Sequence, residues 1–182
     1  MTFQFADEER MIIKLVEKFV KNELMPLEKA VMEREAAGQP HSLTEEEEAP
    51  LLAQCKELGL WALDAPEEFG GANLPTPVML AIQEKLKRTV TPFIFPPDSP
   101  NLHMLQAVAS QEQKIKYMQP YAQGEMKSCI AISEPGAGGD PADMKTAAVR
   151  EGDEWVINGR KIWVSNVPKS DFIILMAVTD PG

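Results

Sequence analysis

Cys129–Asp140 reads CIAISEPGAGGD. An apolar run gives way to Ser133-Glu134-Pro135 and then to Gly136, Gly138 and Gly139 before Asp140. Small residues let backbone N–H groups approach a bound group closely. Three readings stand: a loop that holds a phosphate, one that holds a ring, or a plain turn. The stretch also marks a change of character, with helical periodicity before it and strand-like periodicity after it.

A Rossmann fingerprint places G-x-G-x-x-G directly before a helix in a βαβ unit. Gly136-Ala137-Gly138-Gly139 runs instead into Asp140-Pro141 and short strand-like segments. A phosphate loop would continue Gly-Lys-Ser or Gly-Lys-Thr, which is missing. What remains is a small-residue loop at a sheet edge, where Ser133 offers a hydroxyl and a backbone N–H.

Upstream, Met11, Ile12, Leu15, Val16, Phe19, Val20 and Leu24 recur at three- and four-residue spacings and predict a helix from Asp7, with Asp7, Glu8 and Glu9 suited to its N-terminus. Pro26 interrupts it, and a kinked or second helix continues to Ala37. Thr44 with Glu47 forms a capping box for a helix with Leu51, Leu52, Cys55 and Leu58 inward, and Gly59 stops it. The acids Glu45 to Glu48 read as a solvated first turn. Gly59–Gly71, GLWALDAPEEFGG, is a loop. Thr76-Pro77 caps and opens a helix to about Lys87, and Thr91–Pro100 is a proline-rich connection. Ser99 or Asn101 caps the next helix, to about Ala109. Ser110 and Gln113 repeat the capping box for a helix with Ile115 and Met118 inward.

Downstream, Ser128–Ile132, Thr146–Arg150, Glu154–Ile157 and Arg160–Ser165 read as strands. Glu151-Gly152-Asp153 and Asn158-Gly159 separate the segments over 146–165, and Asn158-Gly159 is the strongest short-range hairpin signal among them. Phe172–Val178, FIILMAV, reads as a strand buried on both faces. Asp180-Pro181-Gly182 reads as a turn. In KIWVSN, Lys161–Asn166, strand alternation would put Trp163 and Ser165 on one face, an aromatic plane beside a hydroxyl. The fold class is therefore α+β and multi-domain: a helical N-terminal domain over 1–126, then an unfinished antiparallel β domain over 127–182.

The 182 residues are 44% hydrophobic and 25% charged, and the net charge of -10 argues against a nucleic-acid partner and against an anionic membrane surface. No apolar run approaches spanning length, and the acidic, amphipathic N-terminus is not a signal peptide. Cys55 and Cys129 read as buried, reduced thiols of a cytoplasmic protein. His41 and His103 lie in no metal-ligand spacing.

SEPGAGGD (Ser133–Asp140) and GDEWVINGRKIWVSN (Gly152–Asn166), preceded by PEEFGG (Pro66–Gly71) and SQEQKIKYMQPYAQGE (Ser110–Glu125), resemble the flavin-dependent acyl-CoA dehydrogenases. Four elements in order make the resemblance specific. It implies a helical N-terminal domain, an antiparallel, barrel-like β middle domain of which this chain holds a part, and a C-terminal four-helix domain absent from this chain. It implies FAD as cofactor. Residues matching Ile130, Ile132 and Ser133 would lie against the isoalloxazine and those matching Trp163 and Ser165 would flank it, with Gly138, Gly139 and Val164 completing the cofactor site. Gly139 would also face the substrate. There the family commonly has Ser or Thr; Asp143 replaces a usual small residue, and Ser133 and Ser165 stand where Thr is usual.

The implied reaction is α,β-dehydrogenation of an acyl-CoA thioester to the trans-2-enoyl-CoA, within fatty acid metabolism. A glutamate removes the α-proton while hydride passes from the β-carbon to the flavin, and electrons go on to an electron-transfer flavoprotein or similar acceptor. That glutamate is expected from the C-terminal domain, so this chain holds no catalytic base and alone is expected to be inactive. Glu134 is expected to be held ionised by its surroundings, and Glu67 and Glu68 read as loop residues. A homodimer or homotetramer is implied. Two alternatives stand beside this reading: a flavin oxidase or monooxygenase on the same fold, and a non-catalytic binding module that kept the fold.

Overall fold

The structure, a computed structural model, describes residues 4–97 and 99–180. They gather into two compact units, one up to Leu102 and the other from His103. The first is helical. Helix α1 (Asp7–Phe19) buries Val16 and Phe19 but leaves Met11 exposed, so the apolar stripe begins at Ile12. The path continues through a π turn, Val20–Leu24, and a 3-10 turn, Met25–Leu27, into α2 (Glu28–Ala36). Pro26 accounts for the change of winding: it has no N–H to give, and its ring would strike a carbonyl one turn back in a regular helix. The Leu24 carbonyl instead accepts from the buried Thr91 hydroxyl at 2.8 Å.

Helix α3 (Glu45–Glu57) carries the expected box, with Thr44 Oγ1 accepting from Glu47 N–H at 3.3 Å and the Glu47 carboxylate from Thr44 N–H at 2.9 Å. Glu47 departs from the expectation of a solvated acidic turn. The Arg34 guanidinium grips it at 2.9 and 2.7 Å and holds its carboxyl below the usual carboxylate range. Gly59, at φ +69°, ends the helix as Leu60 N–H reaches back to the Cys55 carbonyl at 2.8 Å. Leu58 lies at this turn and is partly exposed rather than inward. Helix α4 (Thr76–Leu86) starts one residue earlier than expected, with Pro75 in the cap position, and buries Val78, Ile82 and Leu86 at successive turns. These pack with α1 around Phe19, whose ring centroid lies 5.7 Å from those of both Phe93 and Phe95. Cys55 lies in the same core, where burial pushes its thiol up to about 12.

Helix α5 (Ser99–Val108) contains the boundary between the units. Ser99 and Asn101 both lie within it, and the cap position before it lies outside the described residues. In the second unit, Ser110 and Gln113 form the expected box at the head of α6 (Gln111–Gln113). A π turn, Lys114–Met118, then leads into α7 (Gln119–Gln123). The extra residue in that turn rotates the register: Met118 is fully buried, whereas Ile115, expected inward, faces out at 57% exposure.

The β part corrects several expectations. Strand β1 (Ser128–Ala131) pairs in parallel with β4 (Phe172–Leu175), with Cys129 opposite Ile173 and Ala131 opposite Leu175. The expected sheet was antiparallel. Only β2 (Ala147–Glu151) and β3 (Glu154–Asn158) are, and they turn at Gly152-Asp153, with Gly152 at φ +64°. Asn158-Gly159 is therefore not the hairpin turn; β3 simply ends there. An Ala147–Val178 parallel bridge links the two pairs, and among the described residues the strands do not close a barrel. Strand β4 alternates half-buried Phe172 and Ile174 with exposed Ile173 and Leu175, so it is not buried on both faces. The Phe172 ring packs on Tyr117 and Tyr121, with centroids at 5.3 and 5.9 Å. The Asp180-Pro181-Gly182 turn lies partly outside the described residues.

Candidate cofactor site

Ala131 is the last residue of β1, and the chain beyond it leaves the ladder carrying exposed Ile132 and Ser133. Both carbonyls of this dipeptide are tied from behind. Lys161 Nζ donates to the Ile132 carbonyl at 2.9 Å, and Ile162 N–H donates to the Ser133 carbonyl at 2.9 Å. The backbone is anchored while the Ile132 and Ser133 side chains stand in solvent.

Glu134 turns inward and organises the loop. Its Oε1 accepts from Lys161 Nζ at 2.8 Å and from Thr146 N–H at 2.9 Å, and its Oε2 accepts from Lys145 N–H at 2.6 Å. Both ends of the Lys161–Glu134 pair are buried, at 8% and 5% side-chain exposure. The Lys161 ammonium, with the two backbone amides, pulls the Glu134 carboxyl down to about 2. An acid this strong and this enclosed cannot accept a substrate proton near neutral pH. Glu134 is thus a locked anion, as expected, and its chief partner is Lys161.

This anchoring has a pH signature. Because the folded Glu134 titrates below its ordinary value of 4.5, its contribution is fully present above pH 4.5 and is lost as pH falls from there towards 2. Thermal melts are expected to show a Tm gap between the native protein and Glu134→Gln that is constant above this window and closes within it. A gap that stayed constant through acid would contradict the ion pair.

Trp163 and Ser165 do not share a strand face. Arg160–Ser165 is irregular, and Trp163 itself has φ +58°, so the alternation that would align the two side chains is broken. The indole is 87% exposed and directly follows Ile162, the residue bonded to Ser133. Val164 is half-buried and Ser165 exposed at the entry to a short turn, Val167–Lys169. Ile130 sits within β1, half-buried opposite Ile174. The hydrogen bonds thus bring Ile132 and Ser133 against the segment that leads into Trp163.

Gly138 and Gly139 take no part in those hydrogen bonds. A Cβ at either would meet nothing within 4 Å, and neither has the left-handed backbone that favours glycine. Neither internal packing nor conformation requires glycine there. Glu67 and Glu68 form an exposed 3-10 turn over buried Phe69 in the first unit.

Residues 6–125 match the acyl-CoA dehydrogenase N-terminal domain and residues 129–182 the middle domain. The chain is 37% identical to (R)-benzylsuccinyl-CoA dehydrogenase of Thauera aromatica over 99% of its own length and 47% of that protein. It belongs to the acyl-CoA dehydrogenase family. Among solved acyl-CoA dehydrogenases, glutaryl-CoA dehydrogenase from Mycobacterium smegmatis superposes with a TM-score of 0.77 at 27% identity, covering 97% of this chain and 44% of that one. A second M. smegmatis glutaryl-CoA dehydrogenase structure, a complex with FADH2, gives 0.74 at 25% identity, covering 98% and 44%. The chain thus spans about half the length of the family members it matches. Among the described residues, no helix is long and apolar enough to cross a membrane.

Proposed function

We propose that the protein carrying this chain is an FAD-dependent acyl-CoA dehydrogenase that oxidises an acyl-CoA thioester to the trans-2-enoyl-CoA. The observation that carries the proposal is the tied surface of Ile132-Ser133 and Ile162-Trp163: backbone fixed by Lys161 and Ile162, with Ile132, Ser133 and Trp163 exposed and Ile162 half-buried. A rigid backbone bearing an exposed indole, an exposed isoleucine and two exposed serine hydroxyls fits a flat heteroaromatic with polar edges. Open space over Gly138 and Gly139 leaves room for a bulky group beside it.

On this reading Ile130, Ile132 and Val164 supply apolar contact, Trp163 a packing plane, and Ser133 and Ser165 hydroxyls for the cofactor's polar edge. Gly138 and Gly139 leave room for the cofactor, and Gly139 for the thioester end of the substrate. FAD, when bound, supplies the acceptor for the hydride lost from the β-carbon. We assign no base within these residues, since Glu134 is committed to Lys161 and two amides. The functional division falls at 126/127, the acceptor is an electron-transfer flavoprotein or similar carrier, the assembly is a homodimer or homotetramer, and the compartment is the cytoplasm. The named relatives act on different acyl groups, so the substrate is proposed as a class.

Full-length protein is expected to purify yellow, to release FAD on denaturation, and to bleach anaerobically on addition of a substrate acyl-CoA. Colourless protein that takes up no FAD on titration would sink the proposal.

A further inference from the structure

Lys161 is a buried cation whose ammonium is divided between a carboxylate and one peptide carbonyl, that of Ile132. A charge-assisted hydrogen bond to a carbonyl polarises the whole peptide unit, so the N–H on its far side becomes a stronger donor. That N–H belongs to Ser133, whose side chain is exposed on the surface described above. The charge is therefore transmitted through one peptide to the face where the cofactor is proposed to lie, and Glu134 sets how much of it is felt.

We propose that Lys161 and Glu134 are a positioning pair that both fixes the Ile132–Ser133 peptide and sets the reduction potential of the bound flavin. This rests on the flavin reading. Reduction makes a flavin more electron-rich, so a nearby positive charge favours the reduced form and a negative charge the oxidised form. The two members act with opposite sign. Lys161→Met leaves the Glu134 carboxylate uncompensated, whereas Glu134→Gln leaves the ammonium so. A pair that merely held the fold together would give shifts of the same sign, or none.

The test is the midpoint potential of FAD-loaded full-length protein. Lys161→Met is expected to lower it, Glu134→Gln to raise it, and Lys161→Arg to leave it near the native value. Shifts of one sign, or none in either single variant, overturn the proposal. Should a single variant fail to fold, Lys161→Met/Glu134→Gln together removes both charges and so avoids a buried unpaired ion. That double variant is expected to bind FAD about tenfold more weakly, because the Ile132 carbonyl loses its charged donor. It is also expected to show an altered flavin absorption band, and unchanged affinity and spectrum would overturn the proposal. Native protein that binds no FAD fails the flavin reading itself; native protein that binds FAD while the variants behave identically fails only this inference.

Discussion

Replacing Gly159 by alanine is expected to lower Tm by about 10 °C and to reduce FAD content with it. A Cβ on residue 159 would lie 2.3 Å from Thr146 Oγ1 and 2.6 Å from both Thr146 Cα and Cβ. Rotating the hydroxyl away relieves only the first contact. The backbone contact remains, and Thr146 has nowhere to go: its N–H is held by Glu134 at 2.9 Å and its carbonyl by Val178 N–H at 2.8 Å. Overpacking of this kind costs about 1–3 kcal/mol, and here the displaced residue also anchors Glu134. Gly139→Ala is the matched control. With nothing within 4 Å of the new methyl and no left-handed backbone to strain, Tm is expected to stay within a few degrees while ligand affinity falls. Equal Tm values for the two variants would show that the approach of Gly159 to Thr146 is not tight.

The same glycine shows where sequence reading stops. Asn158-Gly159 carries a local signature for a two-residue hairpin, but glycine serves equally where another chain segment passes too closely for a side chain, and the dipeptide does not say which. Features whose partners lie within one helical turn are legible in the sequence: Thr44 with Glu47, Ser110 with Gln113, and the stop at Gly59. Those missed depend on distant partners. The parallel pairing of β1 with β4 joins Ser128 to Phe172, and the sense of such a pairing leaves no trace in either strand alone. Lys161 meets Glu134 across 27 residues, and a lysine beside a tryptophan gives no sign that its ammonium is buried. Ile115 faces out because the wider π winding spreads residues three apart, so Ile115 no longer shares a face with buried Met118. The reading of Trp163 and Ser165 on one strand face fails because period-two alternation presumes an extended backbone, which φ +58° at Trp163 denies.

Trp163 carries the second large effect. Its indole is 87% exposed, so it contributes little burial to this chain, and a bulky residue at φ +58° is held in a strained conformation. A costly backbone under an exposed aromatic calls for a partner outside the described residues, and on the proposed reading that partner is FAD. Trp163→Ala is expected to weaken FAD binding roughly ten- to hundredfold, the range over which loss of an aromatic platform affects bound heteroaromatic rings. The Tm of flavin-free protein should change little. Trp163→Gly should lose as much affinity yet be no less stable than the alanine variant, because glycine accepts the left-handed backbone without strain. Trp163→Phe should retain most of the binding, since a ring remains. Affinity by titration and Tm of the flavin-free forms separate the possible roles: a packing residue would lose stability, a platform loses ligand. Unchanged FAD affinity in both small variants would remove the indole from the site, and the tied surface beside Ser133 would then lack the plane on which the cofactor assignment depends.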